Sequence, residues 1–202
     1  MKSRKILFIL LFPFMAEFIV SCCNCADPLF KHFTNKSIWV NNLDNSGKVP
    51  VQMPADSIVK TAFGIRLQFS REEAAFFKIP ASLFIQNACA TSCKCPPSVR
   101  YSPKEQVTAI KIFTLNEFDG NHPANSDISI YFKVYKQNSF TFIKEFLNNL
   151  NVVFDNEMES ELDLDLLLMT PPTLNKLHKF KVQVTFSDER VLEEETPAIK
   201  LY

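Results

Sequence analysis

The side chains with the most distinctive chemistry in this chain are six thiols in two groups. They are Cys22, Cys23 and Cys25 near the N-terminus, and Cys89, Cys93 and Cys95 in the middle of the chain. Thiols can be acylated, oxidised in pairs to disulfides, or used to ligate zinc. Structural zinc sites favour cysteine pairs two to four residues apart around a tight turn. Here the spacings are C-x-C and C-x3-C-x-C with no histidine nearby, which favours disulfides, with free or buried thiols and a metal site as the alternatives.

The first 21 residues predict an export signal. Basic residues within the first five precede an apolar run, residues 6–20, that only Pro13 and Glu17 interrupt. The run of 15 residues is shorter than the ~20 that a helix needs to cross a bilayer. A carboxylate near mid-membrane also disfavours a permanent span. We therefore predict that residues 1–21 are a signal peptide that is removed.

The end of this segment, Ile19-Val20-Ser21-Cys22, resembles the bacterial lipobox, in which an aliphatic, a variable and a small residue precede an obligatory cysteine. We predict that Cys22 is lipidated and begins the mature chain, followed by a tether over residues 22–36. A single acyl chain binds a membrane only marginally, so the two or three chains of such a cysteine are needed for stable anchoring. The alternative is an ordinary secretory signal or an uncleaved anchor, with Cys22 a plain thiol.

Lipidation of Cys22 leaves five thiols in an oxidising compartment, and an odd number cannot all pair within one chain. The pairing that we favour joins Cys23 and Cys25 of the tether to Cys93 and Cys95. Cys89 would then remain unpaired.

Two carboxylate patterns could also carry chemistry. Asp163 and Asp165 are two residues apart on one predicted strand face, but no third partner supports acid–base catalysis, so we favour a solvated sheet face. Residues 116–127 are rich in side-chain oxygens, but their spacing does not match an EF-hand calcium loop. We therefore predict a solvated loop between two strands.

Sequence motifs for catalysis are missing. The chain contains no G-x-S-x-G, H-E-x-x-H or nucleotide-binding loop, and His32, His122 and His178 are far apart in sequence. We therefore predict that the protein is not an enzyme and has no catalytic residue, metal or cofactor.

The elements that must position these residues are mostly strands. Apolar and polar residues alternate over several segments, and the predicted strands cover residues 37–42, 58–69, 99–101, 107–115, 128–135, 161–169, 179–186, 190–194 and 199–201. One helix is predicted over 140–150, where apolar residues recur at helical spacing. The pattern predicts a mainly β fold, an antiparallel β-sandwich (immunoglobulin-like or related) of about seven to nine strands with one short helix. Residues 37–202 would form this single domain.

Four aromatic residues in or beside the predicted strands are candidate ligand contacts: Trp39, Tyr101, Tyr131 and Tyr135. For each of them, packing in the core or ordinary surface exposure is the alternative.

The charge balance excludes one class of partner. The chain has 22 basic and 22 acidic residues, and removal of residues 1–21 leaves 19 basic and 21 acidic residues. This is not the basic footprint of a nucleic-acid-binding protein, nor a polybasic tail for anionic lipid. We therefore predict no nucleic-acid partner, and membrane association through the lipid anchor.

Several short motifs carry a resemblance to a known family. They are Cys22-Cys23-Asn24-Cys25, Thr34-Asn35-Lys36-Ser37, residues 90–96, residues 118–127 and the ending from Lys179 to Leu201. The chain resembles a family of uncharacterised Bacteroidetes lipoproteins with a domain of unknown function. The resemblance spans nearly all of the mature chain and implies a Gram-negative cell-envelope address, with the outer membrane expected. In such bacteria Asp56-Ser57-Ile58 also resembles an O-glycosylation acceptor.

Three functions are compatible with these features. The first is a non-catalytic envelope lipoprotein that binds a glycan or a protein partner, which the absence of catalytic motifs favours. The second is a structural or assembly component of the envelope. The third is a hydrolase with an unrecognised site.

Overall fold

The computed structural model describes residues 28–53, 56–74, 98–155, 157–158, 160–173 and 176–202. Three predictions lie outside these residues: the signal peptide at 1–21, the lipidation of Cys22, and the disulfides among Cys23, Cys25, Cys93 and Cys95. Across the described ranges, no helix is long and apolar enough to cross a membrane.

The described residues are dominated by strands, fourteen in all, with one α-helix. The strands are β1 (Leu29–Asp44), β2 (Val51–Gln52), β3 (Ser57–Ile58), β4 (Phe63–Glu73), β5 (Val99–Pro103), β6 (Val107–Thr114), β7 (Phe132–Lys136), β8 (Ser139–Phe142), β9 (Phe154–Asp155), β10 (Glu161–Leu168), β11 (Leu177–His178), β12 (Phe180–Phe186), β13 (Val191–Glu195) and β14 (Ile199–Leu201), and the helix is α1 (Ile143–Leu150). Four strands contain only two residues, and β8 forms where the start of the helix was predicted, which is why the count exceeds the predicted seven to nine. The predicted mainly β fold with one short helix is confirmed.

The strands form three sheets. The large sheet has the order β8-β7-β10-β4-β1-β5-β9, with β2 beside the end of β1. Two three-stranded sheets have the orders β13-β12-β6 and β11-β14-β3. Most pairs are antiparallel, as predicted, but β1 pairs with β5, and β14 with β3, in parallel.

The apolar faces of these sheets enclose one core. Phe180, Val182, Val184 and Phe186 alternate along β12 and are all buried. Across the interface, the ring of Phe180 lies 5.1 Å from that of Phe63 and 6.2 Å from that of Phe132, between ring centroids. Each such side chain contributes roughly 1.5–3 kcal/mol by leaving water, so packing between sheets stabilises the sandwich.

Strand β1 is much longer than the predicted strand 37–42. Its pairing with β4 shifts register between Asn35 and Ser37, a β-bulge that reverses which residues face the core. Phe33 is buried before the bulge, and Ile38 and Val40 are buried after it. The hydrophobic alternation therefore changes phase at the bulge, and no single period reveals the whole strand. As a result, residues 29–36, assigned to the tether from sequence, belong to β1.

The helix is shorter than predicted because its first residues form a strand. Gln137 and Asn138 have positive φ angles of 50° and 61°, which suit a two-residue hairpin turn. That turn joins β7 to β8, so α1 begins at Ile143. The predicted apolar face is confirmed in part: Ile143, Phe146 and Leu150 are buried, whereas Phe140 lies on β8 and is exposed.

Two predicted strands are interrupted by short 3-10 turns. Lys60–Ala62 separates β3 from β4 within the predicted strand 58–69, and Ser129–Tyr131 precedes β7. The β4 strand also continues to Glu73, beyond the predicted end at residue 69.

Candidate functional site

One face of the large sheet points away from the core and collects aromatic and planar polar side chains. Residues that are directly paired on neighbouring strands lie on the same face. The pairing links Trp39, Gln68 and Asp163 in one row, and Asn41, Arg66, Asp165, Tyr135 and Phe140 in the next. We call these eight residues the outer sheet face.

The outer sheet face borders a cleft at Trp39, whose side chain is 46% exposed. The cleft has a volume of about 640 Å³. Its lining residues are Trp39, Val40, Asn41, Gln68, Lys179, Glu194, Glu195, Thr196, Pro197 and Ala198. We call it the Trp39 cleft.

Hydrogen bonds fix the wall of the cleft opposite β1. The Asn42 amide nitrogen donates to the carbonyl oxygen of Pro197 at 2.9 Å. The backbone N–H of Thr196 donates to the carbonyl of Phe180, and the Phe180 N–H donates to the Thr196 hydroxyl. The segment after β13 is therefore held beside β1 by hydrogen bonds at both Thr196 and Pro197.

The charges in the Trp39 cleft are only partly neutralised. Lys179 is paired with Glu195, with 2.5 Å between its ammonium nitrogen and the carboxylate. Glu194 is exposed and forms no ion pair with any residue in the described ranges. The cleft therefore offers a free carboxylate acceptor and the amides of Asn41 and Gln68, the donors and acceptors that suit hydroxyl groups.

The two carboxylates singled out from the sequence share one arginine. Arg66 donates two hydrogen bonds to Asp165, at 2.7 and 2.9 Å, and its Nε lies 3.8 Å from Asp163. The hydrogen bond with Asp165 raises the pKa of Arg66 above its ordinary value, against the opposing effect of burial. The prediction of a solvated face holds for Asp163, whose side chain is 46% exposed, whereas the side chain of Asp165 is 15% exposed beneath Arg66.

The structure separates the four candidate aromatic residues. Trp39 and Tyr135 both lie on the outer sheet face, where the Tyr135 hydroxyl donates to Asn138 at 2.7 Å. Tyr101 pairs with Lys31 before the bulge, so it lies on the opposite face. Tyr131 is stacked on Phe118 with 5.6 Å between ring centroids and packs against the core, so packing is its role here.

The oxygen-rich loop uses its carboxylates to hold its own turn. Asp119 accepts hydrogen bonds from the backbone N–H groups of Asn121 and His122 and lies 2.7 Å from the His122 ring nitrogen. The side-chain bond with His122 is the main cause that lowers the pKa of Asp119 below its ordinary value. Within the part of the chain that is described, no group of three or more His, Cys, Asp or Glu side chains is placed to hold a metal.

The three histidines lie in different packing environments. The His32 ring nitrogen is 2.7 Å from the Ser102 hydroxyl, and His122 contacts Asp119. His178 is fully buried and stacked on Phe180, with 6.1 Å between ring centroids. Ser57 of the predicted O-glycosylation acceptor is exposed on β3.

The sequence pattern predicts the position of some residues of the outer sheet face and the Trp39 cleft, but not of others. Arg66 and Gln68 occupy the polar positions of an alternating strand, so their outward direction follows from the period. Phe140 fitted the apolar period of the predicted helix, and its place on the outer sheet face depends on the hairpin. Glu194 and Pro197 enter the cleft only because β13 and the segment after it pass beside β1, which no local pattern predicts.

A comparison with protein families identifies the domain that carries this site. The family model described as Domain of unknown function (DUF5034) matches residues 35–197. The chain belongs to this family. The DUF5034 domain includes Trp39, Tyr135 and every wall of the Trp39 cleft except Ala198. No functionally curated protein matches the chain.

Proposed function

We propose that this chain is a membrane-anchored cell-envelope lipoprotein of a Bacteroidetes bacterium, whose DUF5034 domain binds a glycan without catalysis. The anchor is the lipidated Cys22, and the outer membrane is the expected location. The Trp39 cleft is the binding site, and it takes no cofactor.

The exposed indole of Trp39 at the edge of a polar cleft carries this proposal. An aromatic face offers apolar contact to the C–H face of a sugar ring at low cost in conformational entropy. Asn41, Gln68 and Glu194 border the same cleft, and such planar groups hydrogen-bond sugar hydroxyls. Binding sites of this kind combine an apolar surface with a few well-placed polar groups.

The position of the polar groups favours binding over hydrolysis. Asp163 is exposed on the outer sheet face, and the less exposed Asp165 is engaged by Arg66 in two hydrogen bonds. A general acid needs a raised pKa, which an apolar or like-charged environment provides and a bidentate arginine does not.

The experiment is a glycan array with the detergent-solubilised full chain, followed by calorimetry with any ligand found. We expect Trp39→Ala to weaken binding about tenfold or more, as truncation of a central aromatic contact does. Tyr202→Ala is the matched control, because Tyr202 is 52% exposed and belongs neither to the outer sheet face nor to the lining of the Trp39 cleft, so its loss should leave affinity unchanged.

Two outcomes would replace glycan binding by one of the alternative functions. If no glycan binds and the chain crosslinks stably to an envelope protein, the alternative role in envelope assembly replaces binding. If the chain cleaves ester or glycoside substrates and Asp163→Asn abolishes the cleavage, the hydrolase alternative replaces it. Separately, Cys22→Ala should move the protein from the detergent phase to the aqueous phase, and unchanged partitioning would refute the lipid anchor.

A further inference from the structure

The outer sheet face carries a second aromatic surface at some distance from Trp39. Tyr135 lies on β7, three strands across the sheet from β1 in the order β1-β4-β10-β7. Its row is displaced by two residues along the strands, since Asp165 pairs with Tyr135 while Asp163 belongs to the row of Trp39. Spacings of about 4.8 Å between strands and 3.4 Å per residue place the two residues roughly 16 Å apart.

The second aromatic surface is fixed in orientation. The ring of Tyr135 contacts that of Phe140 with 5.3 Å between centroids, and its hydroxyl is bonded to Asn138. Phe140 itself is 47% exposed. Tyr135 and Phe140 together therefore present a supported aromatic surface rather than a free side chain.

The surface between the two aromatic positions is polar and remains accessible. The side chains of Arg66 and Asp163 are 25% and 46% exposed. The Gln68 amide donates to Glu161 of the neighbouring β10 at 3.2 Å. A ligand that crosses from Trp39 to Tyr135 would pass over hydrogen-bonding groups all the way.

This surface is acidic. The outer sheet face, the adjoining Glu161 and Lys133 and the Trp39 cleft contain three basic side chains, Arg66, Lys133 and Lys179. The same surface contains five acidic side chains, Glu161, Asp163, Asp165, Glu194 and Glu195. The formal charge of −2 repels an anion at ionic strengths where screening is incomplete.

From this geometry we infer that the DUF5034 domain binds a linear, neutral oligosaccharide that lies along the outer sheet face, with one sugar on Trp39 and a later sugar on Tyr135. The inference rests on the proposed glycan-binding function and extends it in two respects. It makes the ligand a chain longer than a disaccharide, and it excludes uronate-rich or sulfated glycans.

The test measures dissociation constants of the full chain by calorimetry. The probes are neutral gluco-, manno- and xylo-oligosaccharides of two to eight sugars, with oligogalacturonides of equal length as acidic counterparts. For at least one neutral series we expect affinity to rise with length and then to level off. Oligogalacturonides should bind more weakly, and added salt should reduce that difference because it screens the acidic face.

Variants separate the two aromatic positions. Tyr135→Ala should weaken the longest neutral ligand about three- to tenfold, the range for one aromatic contact, and leave the disaccharide within about twofold. Tyr135→Phe keeps the aromatic ring, so its affinity for the longest neutral ligand should equal that of the unsubstituted chain. Phe140→Ala is a second variant on the same surface, and thermal melts confirm that each variant is folded.

The outcomes distinguish the two levels of the proposal. Equal affinity for disaccharide and long chain, an unchanged long-to-short ratio in Tyr135→Ala, or preferred binding of oligogalacturonides would each overturn the inference while Trp39-dependent glycan binding survived. Absence of binding to every saccharide, or binding that Trp39→Ala leaves intact, would overturn the proposed function and the inference together.

Discussion

Replacement of Gly64 by alanine tests the packing that aligns the strands beneath the outer sheet face. Gly64 lies on β4 and pairs with Leu43 of β1 and Leu167 of β10, both buried. A Cβ atom there would lie 2.6 Å from the Leu167 Cδ2 and 3.1 Å from the carbonyl oxygen of Leu166. The leucine methyl can rotate away, but the carbonyl belongs to the sheet ladder and can move only with β10.

Two opposing effects set the expected size of this change. Overpacking of a well-packed interior costs about 1–3 kcal/mol. Alanine also reduces the entropy of the unfolded chain, which stabilises by about 0.4–1 kcal/mol where the backbone is compatible, and Gly64 has no positive φ. We therefore expect a net loss of about 1–2 kcal/mol. For a domain of this size that lowers Tm by about 2–8 °C.

The assay is urea unfolding followed by tryptophan fluorescence, with Gly120→Ala as the matched control. A Cβ at Gly120 would meet no atom within 4 Å, so this change should fall within about 0.5 kcal/mol of the unsubstituted chain. The reasoning is refuted if Gly64→Ala and Gly120→Ala unfold at the same urea concentration.

Three further changes have expected outcomes. Asn151→Ala should cost about 1–3 kcal/mol in urea unfolding because the Asn151 amide bonds both the N–H and the carbonyl of Val107; a loss below 0.5 kcal/mol would contradict this. Arg66→Ala should cost about 1–2 kcal/mol through loss of its two bonds to Asp165, and a double-mutant cycle with Asp165→Ala should show coupling rather than additivity. Asp119 has a pKa lowered from 3.8, so it contributes stability above that pH that is lost as pH falls through its folded pKa. Unfolding midpoints measured from pH 5 to pH 2 should therefore fall more steeply for the unsubstituted chain than for Asp119→Asn, and parallel curves would contradict the assignment.

The strands that follow one hydrophobic period were predictable from the sequence. Apolar residues alternate throughout β12 and over residues 162–166 of β10, and both strands were predicted within two residues of their observed bounds. In β1 the bulge near Lys36 changes the phase of the alternation, so a search for a single period finds only the second part of the strand. The helix predicted from residue 140 begins too early for a related reason. The apolar spacing around Phe140 fits a helix, but the positive φ angles of Gln137 and Asn138 form a hairpin turn, so residues 139–142 form the strand β8.

The candidate site was only partly predictable. Trp39 and Tyr135 were named from sequence as aromatic residues on strands, but the same reasoning also named Tyr101 and Tyr131. The bulge puts Tyr101 on the other face, and stacking on Phe118 puts Tyr131 against the core. The sequence shows which side chains are aromatic, but whether an aromatic side chain is exposed depends on the residues that pack over it.

The sequence by itself determined the class of fold, because alternation of apolar residues is a local property that selects a pleated, half-buried strand. Tertiary structure alone decided which polar and aromatic side chains meet. Strand order places β1, β4, β10 and β7 side by side, although the directly paired Arg66 of β4 and Asp165 of β10 are 99 residues apart along the chain. The Trp39 cleft and the outer sheet face therefore follow from long-range pairing, which the burial of a shared core stabilises and which no short segment encodes.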